Sequence, residues 1–103
     1  MNDATTYDFE WDPAKALANA GKHGVTFDEA ATVLLDPLAL TVYDVAHSEG
    51  EERWFTLGLD AAGKLLAVVH TYQTTGPTSV RVRIISARAA TKRERRSYED
   101  EPQ

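Results

Sequence analysis

The sequence predicts an α+β domain with two N-terminal helices, a small antiparallel sheet of about four strands and one C-terminal helix. Three observations predict it. Helix-start signals stand at both ends of the chain, Asp12-Pro13 and Thr26-Phe-Asp-Glu29 early and Thr91-Lys-Arg-Glu94 late. Between residues 40 and 85 the pattern changes to short runs of β-branched and aromatic residues separated by turn formers. Strands that follow one another, flanked by helices and not alternating with them, indicate antiparallel pairing.

Asp12 is a good N-cap and Pro13 suits the first helical position, so the first helix opens there. Ala14, Leu17, Ala18 and Gly21 give it a narrow apolar stripe, and Gly24 stops it as a left-handed cap. Thr26 and Glu29 form a capping box for a second short helix of Phe27, Ala30, Ala31, Val33 and Leu34, ended by Asp36-Pro37. Strands are expected at Leu40–Val45, Arg53–Leu59 and Leu65–Tyr72, with a turn at Asp60–Gly63. Gln73–Thr78 contains Gly76-Pro77 and reads as a loop. In the strand Val80–Ile85, Val80, Val82 and Ile84 face one way and Arg81 and Arg83 the other. A second capping box, Thr91 to Glu94, starts the last helix, which gives the order ααββββα.

The 103 residues make one domain, residues 1–103, with ends expected to fray over roughly 1–6 and 100–103. The absence of cysteine excludes disulfides and thiolate metal sites and fits a reducing cytoplasm. No run approaches a membrane span, and Met1–Thr6 lacks the basic and apolar parts of a signal peptide, so a cytoplasmic location is expected. The three scattered histidines form no metal motif, and neither metal nor cofactor is expected.

Charge is divided unevenly. Residues 1–80 hold four basic and 12 acidic residues, a formal −8, while residues 81–103 hold seven and four, a formal +3. The net −5 argues against indiscriminate binding along nucleic acid but leaves room for a local anion site. Arg81 and Arg83 share a strand face, with Arg88 expected in the turn beyond, and three guanidiniums so placed could grip a phosphate. The bland alternative is an edge strand paired with the many carboxylates. Arg83, between Val82 and Ile84, is the least ordinary of the set and needs a fixed partner, carboxylate or ligand.

Lys22-His23-Gly24 closes the first helix; His23 could move protons, although cations at a helix C-terminus also answer the dipole. Glu52 beside Arg53 could be a base next to an oxyanion stabiliser, or an acidic loop with a surface ion pair. Glu94 and Tyr98 share a face of the last helix, where Tyr98 could donate a proton or pack. His70, in an apolar strand, reads as a satisfied core histidine.

Taken together, three stretches resemble the BrnT toxin family. The first is Phe9-Glu-Trp-Asp12 with Lys15, Asn19, Lys22-His-Gly-Val25 and Phe27-Asp-Glu-Ala30. The second is His47-Ser48 with Gly50-Glu-Glu-Arg53, and the third Arg83-Ile-Ile-Ser-Ala-Arg88 with Glu94-Arg95 and Tyr98. The resemblance implies a RelE-like fold and a toxin of a type II toxin–antitoxin system. It implies a metal-independent endoribonuclease, in which a base takes the 2′-hydroxyl proton and that oxygen attacks phosphorus. It also implies a BrnA-like ribbon-helix-helix antitoxin, with operator DNA reached only through that partner. By motif, His23 and then Glu52 become candidates for proton transfer. Arg53, Arg83 and Arg88 become phosphate binders, assisted by Lys22, and Tyr98 a further substrate contact. The competing expectation is a non-catalytic protein- or nucleic-acid-binding module. Lys92, Arg93, Arg95 and Arg96 are expected to form a solvated or antitoxin-facing surface.

Overall fold

The computed structural model describes residues 5–47 and 50–100. Ser48 and Glu49 of the central motif, and most of the two expected frayed ends, lie outside them. The elements are β1 (Thr6–Glu10), α1 (Pro13–His23), α2 (Phe27–Val33), β2 (Leu40–Tyr43), a 3₁₀ turn (Val45–His47), β3 (Trp54–Leu59), β4 (Leu65–His70), β5 (Gln73–Gly76), β6 (Ser79–Ala89) and α3 (Lys92–Asp100).

The helix starts follow from local chemistry. The Ala14 amide donates to Asp12 Oδ1, and Gly24 ends α1 in the left-handed region at φ 69°. Both capping boxes close: Glu29 and Thr26 bond reciprocally at 2.9 and 3.1 Å, as do Glu94 and Thr91. The stripe expected on α1 does not face the core. Leu17 is 77% exposed and Asn19 is the buried residue. Asn19 Nδ2 donates to the carbonyls of Val25 and Ala87, and its Oδ1 accepts the Ala87 amide. Three buried hydrogen bonds set the roll of the helix more firmly than one leucine can.

The sheet is mixed and has six strands, not four, in the order β1-β6-β4-β3-β2 with β5 also on β6. β1 runs parallel to β6, Thr6 opposite Ser79 through Glu10 opposite Arg83, so the expectation of a purely antiparallel sheet is corrected. β5 corrects the loop expected at Gln73–Thr78: it continues β4 along the same partner, with Gln73 opposite Arg81. Thr71-Tyr72 separates the two strands, and there Thr71 Oγ1 accepts the Arg83 amide and the Thr71 amide donates to the Arg83 carbonyl.

α1 and α2 cover one face of the sheet. Its core joins Val25, Phe27, Ala30 and Val33 to Leu66, Val68, Val80, Val82, Ile84 and Ala87. Gly58 on β3 is needed there, because a Cβ would stand 3.0 Å from Val33 Cγ1 and 3.1 Å from Asp36 Oδ2. On the other face α3 lies over a smaller cluster of Leu57, Leu65 and Ala67 with Tyr98.

β6 carries the arginines and is longer than expected, so Arg88 lies within the strand and not in a turn. Arg83 and Arg88 are five residues apart and would point to opposite faces of a regular strand. The pairing slips between Val69–Ser86 and His70–Ile84, leaving Ile85 as an extra residue. This bulge resets the alternation: Val82, Ile84 and Ala87 all enter the helix-side core. Arg83 and Arg88 therefore share the opposite face.

Candidate active site

The residues singled out by sequence separate into four places. The first is a cavity of about 310 Å³ lined by Glu10, Glu51, Glu52, Thr71, Tyr72, Gln73, Arg81 and Arg83. Arg81 and Arg83 come from alternate positions of β6, flanked by β1 on one side and the β4–β5 strand on the other. Arg83 Nη2 donates to both oxygens of Glu51, at 2.5 and 2.7 Å, and Arg53 Nη2 stands 3.9 Å from Glu51 Oε1. The hydrogen-bonded Arg83 guanidinium, then the fields of Arg53 and Lys15, hold the Glu51 carboxyl below its ordinary pKa against the opposing effect of burial. The fixed partner that Arg83 needed is thus a carboxylate. It is Glu51, one residue before the Glu52 picked from sequence, while Glu52 is exposed on the wall of the same cavity.

The second place is the root of α3. Arg88 Nη1 and Nη2 donate to the two oxygens of Glu94 at 2.8 and 2.9 Å. That bidentate pair, foremost, lowers Glu94 from 4.5 to about 2, with the Thr91 amide adding to it and burial opposing. Along a strand rising about 3.3 Å per residue, Arg88 stands roughly 15 Å from Arg83. One phosphate cannot engage both.

The third is Tyr98, whose hydroxyl donates to Asp36 Oδ2 at 2.6 Å. Burial first, then the Asp36 carboxylate, push its pKa up to about 12. Asp36 also accepts the amides of Leu59 and Leu38, so the pair ties α3 to the loop after α2 and to the end of β3.

The fourth is the C-terminal end of α1, where Lys22 and His23 are both exposed. Asn19 docks this end beside Ala87, on the helix side of the sheet. His23 does not line the arginine cavity. The strand, the Gly50–Arg53 segment and the β4–β5 junction converge on Arg83; His23, Arg88 and Tyr98 do not join them.

His70 is a core histidine, as expected, and it is fully buried. Its Nδ1 lies 2.7 Å from the Thr71 carbonyl and its Nε2 2.7 Å from Thr56 Oγ1, which is itself 2.8 Å from Thr41 Oγ1. Burial lowers its pKa, partly offset by the Thr71 carbonyl. The ring is neutral with the proton on Nδ1, because a carbonyl can only accept.

Among the described residues no helix is long and apolar enough to cross a membrane. A family model described as the ribonuclease toxin, BrnT, of type II toxin–antitoxin systems matches residues 11–94. That span takes in Glu51, Arg53, Arg83, Arg88 and Glu94 and stops short of Tyr98. No curated protein matches the chain. The chain is similar to the Brucella abortus ribonuclease toxin BrnT, known from a 1.1 Å crystal structure. The two share 24% identity over 84% of this chain and 100% of that one, with a TM-score of 0.60, a likeness of fold. With four-fifths of its length inside the family match, the chain belongs to the BrnT family of ribonuclease toxins of type II toxin–antitoxin systems.

Proposed function

We propose that the arginine cavity is the ribonuclease centre and that it cleaves RNA by 2′-hydroxyl attack without a metal ion. The observation that carries this is the Arg83–Glu51 pair inside a cavity shared with Arg81 and Glu52. A phosphodiester offers a guanidinium the same two-oxygen edge that a carboxylate does. RNA phosphate exchanges for Glu51 on Arg83, and Arg81 and Arg53 supply further charge as the oxyanion develops. Glu51, parted from Arg83, loses the main cause of its lowered pKa and becomes a stronger base. It takes the 2′-hydroxyl proton, the 2′-oxygen bonds to phosphorus, and the bond from phosphorus to the 5′-oxygen breaks. That oxygen takes a proton from solvent water and leaves as a hydroxyl, the resulting hydroxide recovers the proton held by Glu51, and the other product is a 2′,3′-cyclic phosphate. Glu52, on the same wall, is the alternative base. The partner that silences this centre is a BrnA-like antitoxin.

The test is cleavage of single-stranded RNA by purified protein in excess EDTA. Arg83→Ala is expected to lower the rate at least a hundredfold and Glu51→Gln at least tenfold, with Glu52→Gln closer to wild type. A loss of tenfold or more in His23→Ala returns proton transfer to the end of α1. Intact RNA after incubation with folded wild-type protein rejects the ribonuclease reading. A non-catalytic binding module is then favoured, because Arg83 and Arg88 are each already held by a carboxylate.

A further inference from the structure

We infer that His70 is a positioning residue for Arg83, acting through Thr71, whose carbonyl it draws away from the strand that carries the arginine. The inference rests on the proposed ribonuclease centre for the reaction it serves. His70 is fully buried and does not line the arginine cavity, so it meets neither RNA nor the reacting atoms. Thr71, the next residue, does line that cavity.

The backbone here departs from a regular ladder. Residues opposed as a hydrogen-bonded antiparallel pair exchange two amide-to-carbonyl bonds. His70 stands opposite Ile84, so Thr71 comes opposite Arg83. The Thr71 amide donates to the Arg83 carbonyl at 3.0 Å, as a ladder requires. The return bond is different. The Arg83 amide donates at 3.0 Å to Thr71 Oγ1 and not to the Thr71 carbonyl. That carbonyl instead accepts the proton of His70 Nδ1 at 2.7 Å. The hydroxyl substitutes for the diverted carbonyl, which pins the Thr71 side chain on the amide of the arginine. The interrupted ladder is also why β4 ends at His70 and β5 starts only at Gln73.

The ring is held from its far side as well. Nε2 accepts the Thr56 hydroxyl at 2.7 Å, and Thr56 is bonded to Thr41 at 2.8 Å. Both ring nitrogens are thus satisfied, as burial demands, and Nδ1 cannot turn away from Thr71. Arg83 is the last residue of β6 in register with β1, and the bulge at Ile85 follows two residues on. Regular pairing runs out around it, so the Thr71 tether sets where its side chain leaves the strand. A guanidinium that must meet a developing oxyanion depends on that placement, since a shift of about 1 Å can cost roughly a hundredfold. Holding the RNA before reaction is less demanding of a long side chain.

The test compares wild type with His70→Asn, His70→Gln and His70→Leu in cleavage of a short RNA in EDTA. The amide of His70→Asn stands where Nδ1 stands and keeps the donor to Thr71. His70→Gln reaches Thr56 but not the Thr71 carbonyl, and His70→Leu fills the volume with neither bond. His70→Gln and His70→Leu are expected to lower kcat at least tenfold with KM within threefold of wild type. His70→Asn should keep kcat within threefold, although the void it leaves makes it melt below His70→Leu. A role in packing alone predicts the opposite order of rates. With Arg83→Ala already present, His70→Gln should cost less than a further twofold, because the group it acts through is gone. His70→Asn as slow as His70→Gln, or losses that multiply with Arg83→Ala, overturns the inference. A second readout needs no RNA. The NMR coupling across a hydrogen bond from the Arg83 amide nitrogen to the Thr71 carbonyl carbon should be absent in wild type and His70→Asn. It should appear in His70→Gln and His70→Leu as the carbonyl swings back to the ladder. If wild type leaves RNA intact, the ribonuclease reading falls and this coupling alone decides. A coupling already present in wild type, or absent from every variant, overturns the positioning role.

Discussion

Two arginine–carboxylate pairs lie on one face of β6 and differ in what surrounds them. Arg83–Glu51 borders a cavity, whereas Arg88–Glu94 closes the start of a helix. The second is expected to show itself in stability. Glu94 is lowered in the folded protein from 4.5 to about 2 by the Arg88 pair foremost. A depressed carboxylate pKa adds stability that is complete above the ordinary value and is lost as pH falls from about 5 toward 2. A shift of that size is worth about 3 kcal/mol at 1.36 kcal/mol per unit, cut to ~1–2 kcal/mol by the solvent around a half-exposed Arg88. Glu94→Gln, which can still close the capping box, should therefore lower stability by ~1–2 kcal/mol at pH 7. The gap should close near pH 2, read from urea unfolding across that range; a pH-independent gap assigns the cost to the cap and not to the pair. At this scale the sequence identified Arg83 as needing a partner, because a cation between two core residues cannot stay bare. It could not distinguish Glu51 from Glu52, since an irregular approach to a strand has no parity to count.

Elements with local causes were legible. Asp12-Pro13, the two capping boxes and Gly24 set helix ends within a few residues of themselves, and the α1, α2 and α3 starts follow from them. β1 and β5 were hidden because each exists through β6, a partner not yet made when the segment is read alone. β1 pairs with residues more than 70 positions away, and β5 is a polar Gln-Thr-Thr-Gly run that qualifies as a strand only as the continuation of β4. The bulge at Ile85 was equally silent, and it decides which face Arg88 takes. Asn19 shows how one polar residue can outrank an apolar stripe. Asn19→Ala would leave the amide and carbonyl of Ala87 and the Val25 carbonyl without their partner. Unsatisfied buried groups cost ~1–3 kcal/mol each, so a total of ~3 kcal/mol is expected after partial relaxation. That corresponds to a fall in melting temperature of roughly 10 °C or more for a domain of this size. Leu17→Ala, on the 77% exposed side of the same helix, should change it by about 2 °C or less, within the surface range of ±0.5 kcal/mol. Equal losses in the two variants would contradict the assigned roll of α1.

Across the whole molecule, acidic and basic halves are folded onto one sheet without being mixed. The residues before β6 carry the formal −8, and β6 with α3 the cationic excess. β6 spends its arginines largely on internal carboxylates, whereas Lys92, Arg93, Arg95 and Arg96 are exposed on α3. Arg95 meets Glu99 at 3.7 Å, an exposed pair of small worth. α3 buries none of its residues and is fastened by Arg88–Glu94 and Tyr98–Asp36. Its outer face is therefore the one extended cationic surface among the described residues that is not occupied in holding the fold together. A type II toxin has an antitoxin partner, and charge on a rim sets the rate of encounter more than it sets chemistry. Lys92→Glu with Arg93→Glu and Arg96→Glu should accordingly slow association with the antitoxin at least tenfold at low salt. The difference should shrink as ionic strength rises and the Debye length falls below about 8 Å. Cleavage of a short RNA by the free triple variant should stay within threefold of wild type, because the arginine cavity lies on another part of the sheet. Loss of cleavage with unchanged antitoxin binding would assign the helix to RNA instead.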